Sequence, residues 1–206
     1  MQVRELQPEV DLAEHFARTA MPDRTTSGTH VSSIIRWMEV KTGKREARGD
    51  TAEERESLAL YTSMGWAWES IIRDALVRVW TSGYRTPRWV DPGELYRDGI
   101  VGSPDWFDTE DCVLEEFKCT YRSSNRPIET DWWHWMVQMK AYCWMLGVDT
   151  IRLRVFFVCG NYKPMKPQIK MWELTFSERE LRDNFTMLKN NAQAMEREKR
   201  GSVKEK

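Results

Sequence analysis

The spacing of apolar residues predicts two helices in the first half of the chain. Apolar side chains recur every three or four positions from residue 29 to about residue 42, which is typical of a helix with one buried face. A second such pattern begins at Thr51 and continues to about residue 83. Thr51 and Glu54 have the spacing of a capping box, in which each side chain binds an otherwise unpaired backbone N–H group. Residues 1–27 are polar and interrupted by proline, so we expect a loose N-terminal arm.

Four later runs have the composition of strands. Leu95–Val101 and Cys112–Thr120 are expected to form an antiparallel hairpin, with the turn-forming sequence Gly102–Asp105 following the first strand. Ile151–Cys159 is a further apolar strand, and Gln168–Phe176 is expected to be its returning partner.

Two more helices are predicted in the second half of the chain. One begins at Thr130 or Asp131 and ends near Leu146, before a glycine. The other begins at a second capping box, formed by Ser177 and Glu180. Its apolar positions recur at helical spacing.

The order of these elements favours an α/β (α+β) fold in which a central mixed sheet is flanked by helices. We expect one domain over residues 28–195, after an arm formed by residues 1–27. Residues 196–206 are rich in Lys and Glu and are expected to fray as a charged tail.

Composition agrees with a soluble globular protein. The 206 residues are 41% hydrophobic and 31% charged, which suits one domain with a sizeable core. The sequence contains no apolar run of about 18 residues, and residues 1–14 lack the apolar stretch of a secretory signal, so we expect a cytoplasmic location. The net charge of −1 gives no global sign of nucleic-acid binding, although an acidic metal site would offset a local basic groove.

The four cysteines are expected to be small buried side chains. They lie at positions 112, 119, 143 and 159, and no two of them form a C-x-x-C pair. In a cytoplasmic protein this pattern favours neither disulfides nor a zinc site.

The strand Cys112–Thr120 carries the candidate chemistry. Side chains two positions apart point to the same face of a strand, so Glu116 and Lys118 project together. The hairpin would also bring Asp105 beside Glu116. Two neighbouring carboxylates repel each other, and a divalent cation removes that repulsion. Oxygen ligands favour Mg²⁺ or Mn²⁺ over zinc, and Lys118 would then orient a water molecule and help to deprotonate it.

These residues resemble a known signature. Pro104-Asp105 followed by Glu116-Phe117-Lys118 is similar to the motif of the PD-(D/E)XK nuclease superfamily, which has a restriction-endonuclease-like core. The resemblance covers about residues 28–147.

Two flanking helices resemble the RecB-like and lambda-exonuclease-like branch of that superfamily. Gly65 precedes Glu69 by four residues on the predicted second helix. Gln138 precedes Tyr142 by four residues on the third, so both share one helical face. The start of the first helix, up to Ser33, resembles the branch more weakly.

The resemblance implies a role for each of these residues. Glu69, Asp105 and Glu116 would bind Mg²⁺ or Mn²⁺ together with the backbone carbonyl of Phe117, and Asp105, Glu116 and Lys118 would form the catalytic set. A further group would support the site or contact DNA: Gln138, Tyr142, Ser33, Arg36 and Arg122. Apart from the resemblance, the charges of Arg36, Arg122, Arg126 and Lys140 would suit a rim that binds phosphate, whereas each of these residues alone is typical of solvated surface.

The resemblance implies a metal-dependent deoxyribonuclease, with exonuclease action in phage or bacterial recombination or repair as the first expectation. A structure-specific or restriction-like endonuclease and an inactive DNA-binding module on the same fold are the alternatives. The protein would work in a bacterial or phage-infected cytoplasm, and a homo-oligomer or a recombination partner protein would suit this class. Some relatives hold an iron–sulfur cluster with one upstream and three downstream cysteines. No cysteine precedes Cys112, so we expect no cluster.

Overall fold

The computed structural model describes most of the chain after residue 25. The described residues are 26–45, 60, 63–65, 67–72, 74–75, 78 and 89–203. Most of the predicted arm and the Thr51–Glu54 capping box lie outside them. Residues 63–65 and 67–72 are helical, in agreement with the predicted second helix.

Four helices have bounds within the described residues. They are α1 (Val31–Lys41), α2 (Ile128–Asp131), α3 (Trp133–Leu146) and α4 (Glu178–Val203). The apolar spacing that predicted α1 is its buried face, which consists of Val31, Ile34, Ile35 and Met38. Gly147 ends α3 at φ 79, a left-handed conformation that glycine adopts without a Cβ penalty.

Within the described residues, eight strands form two sheets. They are β1 (Thr29–His30), β2 (Trp89–Val90), β3 (Leu95–Arg97), β4 (Ile100–Gly102), β5 (Trp106–Asp108), β6 (Val113–Thr120), β7 (Thr150–Phe157) and β8 (Gln168–Thr175). The larger sheet has the order β2-β5-β6-β7-β8, and the smaller one has the order β1-β4-β3. β6 and β7 are parallel and the other neighbours in the larger sheet are antiparallel, so the predicted mixed sheet is confirmed.

The predicted hairpin of Leu95–Val101 with Cys112–Thr120 is wrong. The first run is split by Asp98 and Gly99, which adopt φ 51 and φ 81 and reverse the chain between β3 and β4. An Asp-Gly pair is a strong signal for such a tight turn. The antiparallel partner of β6 is instead β5, the short strand that directly follows Asp105.

The core lies between one face of the larger sheet and the helices. In β7 the buried residues Ile151, Leu153, Val155 and Phe157 alternate with less buried ones, as expected for a strand with one face towards the core. They belong to one cluster with the buried side chains of α1, α3 and α4. Within the described residues, no helix has both the length and the apolar composition needed to cross a membrane.

The helix α4 continues through the residues that we expected to fray. It extends to Val203, and Glu198 within this stretch contacts the first helix. Glu198 accepts hydrogen bonds from Trp37 Nε1 at 3.1 Å and from Lys41 Nζ at 2.7 Å. Lys and Glu are also good helix formers, so local propensity and tertiary contact agree.

The predicted capping box at the start of α4 is confirmed. Glu180 Oε2 accepts hydrogen bonds from the Ser177 backbone N–H at 3.0 Å and from Ser177 Oγ at 2.8 Å. Lys140 Nζ donates to Glu180 Oε1 at 3.2 Å. The bonds from Ser177, followed by the ammonium group of Lys140, lower the pKa of Glu180 to about 2.

Ser177→Ala is expected to reduce the free energy of unfolding by about 1 kcal/mol, because it removes this cap. The pKa of Glu180 is lowered in the folded state, so its stabilising effect is present above the ordinary glutamate pKa and is lost as the pH falls towards 2. The difference in the free energy of unfolding between wild type and Ser177→Ala should therefore be smaller near pH 3 than at pH 7. Urea unfolding at the two pH values measures it. A difference that does not change with pH would contradict the assignment to Glu180.

Candidate active site

Glu116 and Lys118 share one face near the end of the central strand. β6 has two strands on either side of it in the larger sheet, which explains why Glu116 is only 1% exposed. Lys118 Nζ donates a hydrogen bond to Glu116 Oε1 at 2.5 Å. A buried carboxylate is costly unless it is paired, and Lys118 supplies a cation within contact distance.

Asp105 lies beside these residues. It directly precedes β5, and β5 pairs with β6 in the register Trp106 to Glu115. The half-buried Asp105 carboxylate accepts a hydrogen bond from the backbone N–H of Phe117 through Oδ2 at 2.7 Å. The structure therefore brings together Asp105, Glu116 and Lys118, although the strand that carries Asp105 differs from the one expected.

Mutual repulsion among carboxylates marks this cluster. The pKa of Glu116 is raised to about 8: burial is the largest cause, the charges of Asp105 and Glu69 act in the same direction, and Lys118 opposes them. Burial by itself would lower the pKa of Lys118, but the carboxylates of Glu116, Asp105 and Glu69 raise it above its ordinary value. Glu69 therefore lies close enough to act on both residues, as the resemblance implied.

The donor set fits a divalent cation. Glu116 Oε2 is buried and has no hydrogen-bond partner among the described residues, so a buried oxygen is left available as a ligand. Oxygen donors of this kind suit Mg²⁺ or Mn²⁺. Among the described residues, however, no three His, Cys, Asp or Glu side chains are already gathered as a metal cluster. Asp105 Oδ2 and Glu116 Oε1 accept bonds from Phe117 and Lys118 instead, so the carboxylates are neighbours whose oxygens would reorient around an ion.

Gln138 and Tyr142 form a pair on α3 beside the carboxylates. Gln138 Nε2 donates a hydrogen bond to the Tyr142 hydroxyl at 2.7 Å, as their four-residue spacing on a helix allows. Tyr142 is buried, and both its burial and the charge of Glu116 raise its pKa above the ordinary value. The hydroxyl therefore stays protonated near neutral pH.

Gly102 lies directly against the Tyr142 ring, a contact that the sequence did not suggest. A Cβ at Gly102 would lie 2.7 Å from Tyr142 Cε1 and 3.0 Å from Met145 Sδ. We expected Gly102 in a turn, but it ends β4, where a glycine allows close approach of another element. The sequence signal for this close packing was a glycine that directly follows the apolar residues Ile100 and Val101.

Gly102→Ala is expected to displace the Tyr142 ring and to lower the free energy of unfolding by about 1–3 kcal/mol, the usual effect of overpacking. Any activity of the Glu116 site should fall as well, because Tyr142 lies close enough to Glu116 to feel its charge. Gly201→Ala is the matched control, since a Cβ there has no described atom within 4 Å. Equal melting temperatures for the two variants would contradict the packing argument.

The predicted phosphate contacts lie on different elements of the fold. Ser33 is exposed and Arg36 is half-buried, both on the side of α1 opposite its buried face. Arg122 is exposed, and its guanidinium group lies 5.5 Å from the centre of the Trp132 ring. Lys140 pairs with Glu180 at 3.2 Å. The roles of Ser33, Arg36, Arg122 and the Phe117 carbonyl remain predictions.

A second buried carboxylate, Glu115, occupies the opposite face of β6. It is 0% exposed, and Arg154 Nη1 contacts its Oε2. Arg152 Nη1 lies 3.5 Å from Glu115 Oε1 and also bonds to Asp108. Two arginines that alternate with apolar residues in β7 were the sequence signal for this network.

Comparisons with known proteins agree on the fold. The chain matches no protein-family model and no curated protein. An alkaline exonuclease from Laribacter hongkongensis, solved in complex with dAMP, is 14% identical with a TM-score of 0.50, and the match covers 94% of this chain and 100% of that chain. Another structure of that exonuclease is 12% identical with a TM-score of 0.45 over the same shares of the two chains. A phage-related exonuclease from Haemophilus somnus is 13% identical with a TM-score of 0.45, over 79% of each chain.

The chain therefore has the fold of the PD-(D/E)XK nucleases, in the form found in lambda-exonuclease-like enzymes. The resemblance inferred from the motif is confirmed at the level of the fold, as is the mixed sheet flanked by helices.

Proposed function

We propose that this protein is a metal-dependent deoxyribonuclease that acts as an exonuclease. The observation that supports it is the meeting of Asp105, Glu116 and Lys118 at the end of the central strand, with one Glu116 oxygen buried and available. The fold is that of an alkaline exonuclease solved with a deoxynucleotide, which favours DNA as the substrate.

Asp105, Glu116 and Glu69 would hold Mg²⁺ or Mn²⁺, and the Phe117 carbonyl would complete the set. When bound, the ion supplies an activated water molecule and neutralises charge on the phosphodiester. The Lys118 ammonium group donates a hydrogen bond to Glu116, so it lies beside the carboxylates that would hold the ion. From there it would orient the attacking water and stabilise negative charge on the phosphate. Asp105 fixes the backbone of β6 through the Phe117 N–H and so positions both neighbouring side chains.

Two alternatives keep the same fold. A structure-specific or restriction-like endonuclease would use the same carboxylates on closed DNA. An inactive DNA-binding module would have lost them, and the presence of Asp105, Glu116 and Lys118 together argues against it. A role in phage or bacterial recombination, assembly as a homo-oligomer and a recombination partner protein belong to the same proposal.

The test is degradation of linear and covalently closed circular plasmid DNA with Mg²⁺, with Mn²⁺ and with EDTA. We expect loss of linear DNA with either ion, no loss of closed circles, and no activity in EDTA. Cleavage of both forms would assign an endonuclease with the same site. Binding of DNA without cleavage in any of these ions would refute the enzyme and favour the binding module.

A further inference from the structure

Two loops meet at the end of the sheet where β6 leaves the candidate site. The first comprises residues 121–127, directly after β6, and the second comprises residues 158–167, between β7 and β8. β6 and β7 are parallel, with Thr120 opposite Phe157, so both loops begin at the same edge. This edge is two residues beyond Lys118. We call the two loops together the platform.

The platform is held as one surface by several contacts. The Ser124 backbone N–H donates to the Gly160 carbonyl at 2.8 Å, and Ser124 Oγ donates to Gln168 Oε1 at 2.7 Å. Lys170 Nζ donates to the Ser124 carbonyl at 2.5 Å. The Tyr162 hydroxyl donates to the Tyr121 carbonyl, which links the two loops directly.

The charge of the platform is one-sided. Its 17 positions include four cations, Arg122, Arg126, Lys163 and Lys166, and no Asp or Glu, in a chain whose net charge is −1. Arg126 pairs with Asp131 at 3.3 Å. Lys163 and Lys166 are exposed, and neither forms a salt bridge with any described residue.

Two tyrosines are exposed on the same surface. Tyr121 is 43% exposed and Tyr162 is 47% exposed. The Tyr121 hydroxyl also reaches Met64 Sδ at 3.9 Å, so it lies against the helical segment that carries Glu69. Tyr162 is held at φ 67, a region that disfavours side chains with a Cβ. A large ring therefore occupies a position that favours glycine or asparagine.

We infer that the platform binds the unpaired strand of a DNA substrate next to the cleavage site. Exposed cations such as Lys163 and Lys166, which form no salt bridge with a described residue, suit a phosphate backbone, and exposed aromatic rings suit bases that are not stacked in a duplex. In a duplex the bases are already stacked on each other. The phosphates of a duplex would therefore contact the lysines, but its bases would not stack on the tyrosines. The inference rests on the proposed nuclease function and adds a surface that the carboxylate site does not include.

The test is binding in EDTA, where cleavage is blocked, measured by fluorescence anisotropy. The probes are a labelled oligodeoxythymidylate and a blunt duplex of the same length. Tyr121→Ala and Tyr162→Ala are each expected to weaken oligodeoxythymidylate binding about tenfold without changing its salt dependence. Tyr121→Phe keeps the ring and should bind like wild type. The double variant Lys163→Ser/Lys166→Ser should lower the slope of log K against log salt by about 1.4, since each single-strand phosphate contact contributes about 0.7.

Matched controls lie away from the platform. Tyr96→Ala removes a tyrosine that is 60% exposed on β3, and Arg179→Ser removes an exposed cation on α4. Neither should change binding of the oligodeoxythymidylate. Should Tyr162→Ala fail to fold, Tyr121→Ala and the lysine pair decide the question.

Several results would overturn the inference. The first is that the wild type does not bind the oligodeoxythymidylate. The second is that both tyrosine-to-alanine variants bind it with wild-type affinity. The third is that these variants bind the blunt duplex as much more weakly than wild type as they bind the oligodeoxythymidylate. The nuclease proposal is judged separately by the plasmid assay. Plasmid cleavage with unchanged binding in the tyrosine variants would therefore reject the platform and keep the enzyme.

Discussion

Lys118→Ala is expected to slow the cleavage of linear DNA by roughly 10²- to 10³-fold or more, the range seen when one preorganised electrostatic group is lost from an active site. The reason is local, because Lys118 Nζ is the cation that contacts the buried Glu116. Without it, no described ammonium group would remain at that carboxylate to face the scissile phosphate. The measurement is the initial rate of linear plasmid loss with Mg²⁺ at saturating DNA.

Lys118→Gln separates charge from hydrogen bonding. The glutamine amide keeps an N–H donor near Glu116 Oε1, but it carries no charge. If Lys118 acts as a cation, the glutamine variant should be as slow as the alanine variant while melting closer to wild type. A glutamine variant with the wild-type rate would show that Lys118 serves only to hold Glu116 in place.

A stability measurement must accompany the rates. Lys118→Ala leaves a 1% exposed carboxylate without its partner, which is expected to lower the free energy of unfolding by about 1–3 kcal/mol. Rates should therefore be compared well below the melting temperature of each variant. Binding of DNA in EDTA should change little, so that slow cleavage cannot be assigned to lost substrate affinity.

The candidate site could be predicted because a strand has a fixed period. Side chains two apart face the same way, so Glu116 and Lys118 were paired from the sequence without knowing the neighbours of β6. Asp105 was placed beside Glu116 although its strand was assigned wrongly. Any short strand that directly follows Asp105 and pairs antiparallel with β6 in this register places Asp105 beside Glu116, and β5 is such a strand.

Other features depend on contacts that local patterns do not encode. The approach of Tyr142 to Gly102 joins residues 40 positions apart, and it is set by how α3 packs on β4. Residues 196–203 are helical, and Glu198 among them bonds to Trp37 and Lys41, a long-range contact that composition does not reveal. The turn at Asp98 had a local signal, but the surrounding apolar residues concealed it within one strand.

The ion pairs of Glu115 with Arg154 and Arg152, on the face of β6 opposite the candidate site, should have the largest effect on stability. Arg154→Leu is expected to lower the free energy of unfolding by about 3–5 kcal/mol, because removing one partner of a buried ion pair leaves the other charge uncompensated. Arg154 contacts Glu115 Oε2 directly, whereas Arg152 lies 3.5 Å from the other oxygen. Arg152 is expected to offset the charge of Glu115 only in part, since the same guanidinium group binds Asp111 at 2.7 Å and Glu173 at 2.9 Å.

The double variant Glu115→Leu/Arg154→Leu distinguishes pairing from packing. Apolar residues of similar volume often replace a buried ion pair without loss, so the double variant should regain much of the stability lost by Arg154→Leu. Urea unfolding of wild type, both single variants and the double variant gives the coupling energy between the two side chains. Additive losses would show that Arg154 acts through other contacts, such as its position 5.8 Å from the Phe117 ring centre.

Activity of the same double variant tests whether the two faces of β6 are independent. Glu115 and Glu116 are adjacent in the chain, but their side chains point to opposite sides of the sheet. Asp105 binds the backbone N–H of Phe117, which lies between Glu116 and Lys118. If the ion pair only holds β6 against β7, the restored double variant should cleave linear DNA at close to the wild-type rate. A stable double variant that cleaves slowly would instead show that the charges of Glu115 and Arg154 tune the carboxylates on the other face.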